Sequence, residues 1–458
     1  MAAVPYVLER ININNVGTLG GLADVSISEG LGSVLEASGS NVDPVFHTTH
    51  AQEPEIQATT MDVGVLLNAA MASGRIGAYI TITSSNWCDV YFQATAAGGT
   101  RGTCIKGRIN KGLLVVERVD GAPLGRCAIR IYADYDGTNA PIVISTGVSV
   151  LSGNSGAASV WRLAAVKDNS TTIHKIAEWA IEFNHRIERL RPSNSSWATD
   201  TMVRGFAPTA RFSTYDIGAA LTLSGLSGAA AGAAGLLFYL AQYNAATVGF
   251  SSSGALTLGF RTGSIYYPVG VDLGPGSPKP IEYMVHGVGG DTLADIPLVL
   301  ATGASVPSES TGSAQYMQGP LKENTTEIDV SGGRFDFGQT WTTEGPATLP
   351  WPNFCYLSPS GRQPRIRVRS RDAAAYAARS AAAAIATAFY CYFRRVDVDG
   401  QPTADASASH VKITVNAGVI RKEQVGGGWQ DSMQAELTVV ALTHASGILT
   451  IATSSAIT

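Results

Sequence analysis

Four arginines, Arg365, Arg367, Arg369 and Arg371, alternate with Ile366, Val368 and Ser370. On an extended chain that spacing lines four guanidinium groups along one face, where they could grip phosphates. Alternation is also what any half-buried strand shows, so a subunit contact or a solvated face is the plainer expectation. The matching positions earlier in the chain, Glu55 and Gln57, then Thr209 and Arg211, carry no such run. A face of this kind lining a channel would change its charge along the chain.

Three aspartates form the next candidate group. Asp62, Asp216 and Asp372 each open a small-residue segment that reads as a helix: VGVLLNAAMAS, IGAALTLSGLS and AAAYAARSAAAA. A carboxylate there caps orphan N–H groups and suits the positive end of the helix dipole. A catalytic role would need a partner that the sequence does not offer. His47 and His50 bring two imidazoles close together, fewer than the three or four ligands zinc requires. Gly153-Asn154-Ser155-Gly156 lacks the spacing of a nucleophile elbow, and neither a Walker loop nor a dinucleotide fingerprint is present. The expectation is a chain that is not an enzyme, with no catalytic, cofactor-binding or metal-binding residue.

The elements around these residues recur. Pro54 to Asp62, Pro208 to Asp216 and Pro364 to Asp372 share one separation, and successive copies lie about 155 residues apart. Each stretch alternates (Ile56 and Ala58, Ala210 and Phe212, Ile366 and Val368), which predicts a strand with one buried face. Each copy closes on a similar strand: PIVIST from Pro141, PLVLAT from Pro297 and LTIAT from Leu449. Repeats of this size are whole domains, expected at 1–155, 156–313 and 314–458. Each begins with alternating segments (from Ala23, from Ala180, and GGRFDFGQTW in the third) followed by a polar excursion. Residues 173–190 suit a helix by composition, and the repeat favours a strand. After each helix comes an apolar strand, from Tyr79, Leu236 and Ala388, then hairpin-like strands from Gly112, Ser264 and Gly418. Gly74 and Gly225 stand where a left-handed residue would end the first two helices. The fold class expected is mainly β: three tandem β-sandwich or barrel domains, each with one short flanking α-helix.

Composition agrees. The 458 residues are only 15% charged, with net charge −4, which gives no general attraction to nucleic acid and suits a subunit packing against copies of itself. Five cysteines in no CxxC pair fit free thiols in a reducing compartment. No signal peptide is expected at the N-terminus. Residues 217–241 are uncharged and long enough to cross a bilayer, but their Gly, Ala, Ser and Thr content and their place in the repeat favour a domain segment.

The order of elements, with the stretch SISEGLGSVLEASGSNVDPVFHTTHAQEPEIQATTMDV, resembles the tail-tube fold of long-tailed bacteriophages, here triplicated. The resemblance implies a structural virion protein, assembled in the host cytoplasm, whose stacked rings surround a lumen that conducts DNA. It implies partners of three kinds: further copies of the chain, other virion proteins, and DNA in transit without specific binding. No membrane partner and no cofactor follow from it. In that family the loop between early strands reaches a neighbouring ring. Carried over, that loop is residues 30–46, 191–203 and 342–353, holding Trp197 and Trp351 with Trp341 beside the third. Three folds per chain departs from the family's usual one or two, and two chains would complete a pseudo-sixfold ring. The alternative is another phage component (decoration, spike or baseplate) whose β domains hold a partner or a glycan; a hydrolase on a β scaffold is the least supported class.

Overall fold

Extended segments with every second residue buried dominate the chain, as in Glu55–Thr60, Thr209–Thr214 and Arg365–Ser370. The computed structural model describes residues 6–36, 46–72, 76–95, 101–121, 124–149, 159–244, 248–309, 314–372, 382–385, 388–397, 399–426 and 434–458. The protein is mainly β, built from several antiparallel sheets with two short helices among the described residues. One sheet of 15 strands runs from the first third of the chain to the last.

That sheet repeats one four-strand order. In the first unit an edge strand (Ala23–Ser28) pairs with the Pro-to-Asp strand (Glu55–Thr60). A return strand (Gly125–Ala133) and a bulged strand (Gly112–Gly121) follow. The second unit repeats this with Ile176–Glu182, Thr209–Thr214, Ile281–His286 and Ile265–Leu273. The third does so with Val330–Asp336, Arg365–Ser370, Gln434–Ala441 and Gly418–Gly426. A second sheet covers each unit. Its first strand (Tyr6–Ile13, Trp161–Asp168, Gln315–Glu323) turns back through a hairpin with an asparagine at positive φ, namely Asn15, Asn169 or Asn324. The closing strands at Val143–Val148, Leu298–Ala304 and Leu449–Ser455 end these covering sheets. Ile11, Ile13 and Val90 of the first covering sheet pack with Ile56, Ile129 and Val116 of the large sheet. The same apolar cluster continues through Phe212, Phe238 and Leu258 to Phe335, Phe393 and Val439.

A repeated turn joins strand to helix. Thr60 Oγ1 accepts from the Asp62 N–H at 3.1 Å, Thr214 Oγ1 from Asp216 at 3.0 Å, and Ser370 Oγ from Asp372 at 3.1 Å. This hydroxyl turn fixes where each Pro-to-Asp strand stops. Helix α1 (Val63–Ala70) and helix α2 (Ile217–Ser224) follow the first two. Asp216 caps α2 through Ala219 N–H at 3.2 Å, as expected, and Gly225 ends it at φ 60°. Asp62 sits at the cap position without capping α1. Its buried carboxylate accepts from Gly20 N–H at 2.6 Å and Ser159 N–H at 3.4 Å, tying the hairpin to the connection between units.

Several expectations change. The third helix lies outside the described residues except for Ala382–Ala384, which form a strand on Val419–Arg421; main-chain pairing overrides alanine's helix preference there. Gly74 also lies outside them. The run from Ala180 is not one strand: Asn184, at φ 47°, separates Ile176–Glu182 from His185–Leu190. Strand wins over helix for both. The strand from Tyr79 is not the counterpart of those from Leu236 and Phe389. It is a short addition to the bulged strand, like Ala229–Ala230, and Cys88–Thr95 holds the expected place. Residues 217–241 divide between α2 and strands, and no helix among the described residues is long and apolar enough to cross a membrane.

The helices meet the next unit through a glycine. A Cβ on Gly64 would lie 2.8 Å from the Trp161 ring, and one on Gly218 would lie 2.5 Å from the Tyr316 hydroxyl. Trp161 and Tyr316 occupy the same place in their covering sheets. Gly64→Leu should therefore lower stability by about 1–3 kcal/mol through overpacking, read as a lower denaturant midpoint. Gly332→Ala, where a Cβ meets nothing nearer than 3.9 Å, should change it little.

Candidate functional site

The boundaries between units concentrate the unusual chemistry of this chain. Each bulged strand carries a bulge at one equivalent residue: Glu117, Val269 or Glu423. A bulge bends the strand and raises its twist. Beyond it, the first two strands keep their own return strand on one side and pair with the next unit on the other. Arg118, Val119, Asp120 and Gly121 stand opposite Glu182, Ile181, Ala180 and Trp179. Gly270, Val271, Asp272 and Leu273 stand opposite Asp336, Phe335, Arg334 and Gly333. The register is identical, and in both the central pair is apolar and fully buried.

The polar excursions, read as loops in the sequence, form β-hairpin arms. His185–Leu190 pairs with Asp200–Phe206, Gln339–Glu344 with Phe354–Arg362, and Gly32–Glu36 with Phe46–Ala51. The second arm lies across the first unit. Tyr135 N–H donates to Ala198 O at 2.8 Å, and Arg189 donates to Glu53 O at 2.9 Å and Ala133 O at 2.8 Å. Thr201 Oγ1 donates to Asp134 at 2.7 Å, while burial pushes the Asp134 carboxyl above its ordinary value against that bond and Arg189. Trp197 packs on Tyr135 with ring centroids 4.9 Å apart, and its Nε1 donates to Gln52. The third arm repeats this on the second unit. Gly289 N–H donates to Pro352 O at 2.8 Å, and Trp351 Nε1 donates to Gly290 O at 3.2 Å. Gly289 has no side chain because the Trp351 ring occupies the place of one.

The large sheet keeps one polar face, where arginines meet carboxylates across strands. Arg130 reaches Glu117 at 2.7 Å and Glu55 at 3.4 Å, and Arg369 reaches Glu436 at 3.0 Å. Arg334 joins Asp336 at 2.7 Å, Glu282 at 2.6 Å and Asp272 at 2.9 Å, so a triple pair spans the second boundary. Arg365, Arg367 and Arg369 stand on this face, exposed, while Ile366 and Val368 face the core. Arg371 follows the strand and is exposed. The face is carboxylate-rich in the second unit (Glu178, Glu182, Glu282) and arginine-rich in the third.

His47 and His50 belong to the strand Phe46–Ala51, and their side chains lie outside the described residues. No group of three or more His, Cys, Asp or Glu able to hold a metal ion occurs among the described residues. Cys88, Cys104, Cys127 and Cys391 are buried, and burial pushes the half-buried Cys355 thiol up to about 11. Such thiols are poor nucleophiles. Sequence reasoning missed the arm contacts, although Trp197 and Trp351, each shortly before the repeated proline, were a usable signal. No protein-family model matches the chain, and no curated protein is significantly similar to it.

One boundary contact is sensitive to pH. His185 packs in a three-ring cluster with Phe183 and Phe206, and its Nε2 accepts from Ala78 N–H of the first unit at 3.0 Å. Burial holds its imidazole down at about 4. Unfolded, an imidazole titrates near 6.5, so between these values the unfolded chain binds the extra proton. This contribution is intact above about pH 6.5 and is lost as pH falls toward 4. Denaturant melts should show about 2–3 kcal/mol less stability at the acid end, a loss that His185→Gln should reduce.

Proposed function

We propose that this chain is a structural wall subunit, of the kind that forms the tail tubes of long-tailed bacteriophages, assembled into a virion in the host cytoplasm. The observation that carries the reading is a single sheet running through three like units while one of its faces stays polar. A wall that conducts DNA needs a continuous surface without strong phosphate grips, because each phosphate contact adds tight, salt-dependent binding. Much of the polar face suits that need: its arginines at 130, 334 and 369 are each matched to carboxylates, while Arg365 and Arg367 leave the third unit more basic. The covering sheets and helices lie on the opposite side, where they bury the core and thicken the wall. Two chains of three units would make a ring of six, and stacked rings would make the tube.

The reading accounts for the arms as well. In a wall, each unit must be locked to its neighbour against bending, and an arm that crosses the boundary adds a second attachment beside the strand pairing. Negative-stain images of the purified chain at rising concentration should show rings or tubes with a central channel. A particle that remains a 47.7 kDa monomer throughout would contradict the reading.

A further inference from the structure

Resting on that wall reading, we infer that the first unit of one copy docks on the third unit of a second copy, in the register that joins units within the chain. The two in-chain boundaries define what each unit gives and receives, and among the described residues the first and third units carry the unmatched halves at the two ends of the large sheet. On the giving side, the equivalents of Ile181 and Phe335, both 0% exposed, meet at Ile27, which is 46% exposed. The equivalent of Trp161 and Tyr316, both buried against the preceding unit's helix, is Tyr6, which is exposed.

On the receiving side, Gln424, Val425 and Gly426 follow the bulge at Glu423, pair with Glu436, Ala435 and Gln434 on one side, and have no strand on the other among the described residues. They correspond to Arg118, Val119 and Asp120, and to Gly270, Val271 and Asp272. The place covered by an arm in the earlier units is also bare. Asp134 is 1% exposed and Val288 3%, yet their counterpart Leu442 is 48% exposed. The equivalence is fixed by the preceding residue: Ala133, Gly287 and Ala441 each donate to the O of the repeated proline, Pro54, Pro208 and Pro364.

Matched halves at opposite ends specify the partner as a second copy of this chain. Pairing would set Gln424 opposite Ser28, Val425 opposite Ile27 and Gly426 opposite Ser26, again with an apolar pair at the centre. The arm Gly32–Glu36 and Phe46–Ala51, next to the giving edge, would cross Leu442 and Thr443. Such a junction is strand addition at an open edge. It is head-to-tail, so it forms a ring where the rotation closes and a filament where it does not.

The test uses full-length chains with Cys355→Ser, mixed in pairs that each carry one added cysteine. Ser28→Cys with Gln424→Cys should give a disulfide-linked two-chain species on oxidation. Val299→Cys, exposed on a covering sheet away from both ends, should give none with Gln424→Cys. Separately, Ile27→Lys and Leu442→Glu should each raise the concentration for half-assembly about ten- to hundredfold. Both sites are exposed in the single chain, so its melting midpoint should not move. Assembly that persists without the Ser28–Gln424 link, and that ignores both substitutions, overturns the junction. Linked copies that image as open chains without a channel keep the junction and sink the wall reading. Channelled rings without the link do the reverse.

Discussion

An open sheet edge presents unpaired N–H and C=O groups, and the fold of this chain is organised around meeting that requirement. Each unit has an edge strand and a bulged strand whose far end pairs with its own return strand on one side and, in the first two units, with the next unit on the other. At both boundaries, pairing with the next unit begins at the residue after the bulge. The extra residue at Glu117 or Val269 bends and twists the strand where the large sheet passes from one unit to the next. The apolar pairs Val119–Ile181 and Val271–Phe335 then bury both edges at once, and the arms seal the place where the sheets bend. Local main-chain geometry, rather than any single strong side-chain contact, makes three units one body.

Side chains adjust that body at its seams. Gly64 and Gly218 are small because an aromatic ring of the following unit rests on the helix. Arg334 draws carboxylates from three strands across the second boundary, while the first boundary has Arg118 beside Asp120 and opposite Glu182. Exposed ion pairs of this kind contribute little stability. Their effect is to leave the polar face close to charge-matched where units meet. Joining three units in one polypeptide also places two boundaries inside the chain, where effective concentration replaces diffusional encounter.

Much of the architecture was legible in the residues. The Pro-to-Asp stretch alternates strictly, so Glu55–Thr60, Thr209–Thr214 and Arg365–Ser370 could be read as strands and their apolar faces assigned. The closing strands and the starts of α1 and α2 were equally plain. What sequence could not give was partnership. Tyr79–Ile82 has the texture of a buried strand in any sheet, and only pairing with Val115 and its neighbours assigns it to the large one. The excursions read as loops because their Gly, Pro and Ser content hides cross-strand pairing that spans many residues. Asp62 and Asp216 look identical in sequence, yet one accepts from Gly20 and the other caps a helix. The Arg365–Arg369 run was placed correctly on an exposed face, but its carboxylate neighbour Glu436 lies far along the chain.

The inferred junction makes the two ends of the large sheet halves of the boundary already formed twice inside the chain. Amide hydrogen exchange, compared between dilute chains and concentrated assemblies, tests it most directly. In the assemblies, Ser26–Ser28 and Gln424–Gly426 should become as protected as Trp179–Glu182, whose in-chain partners are already in place. Fast exchange at both ends in assembled particles would contradict the account.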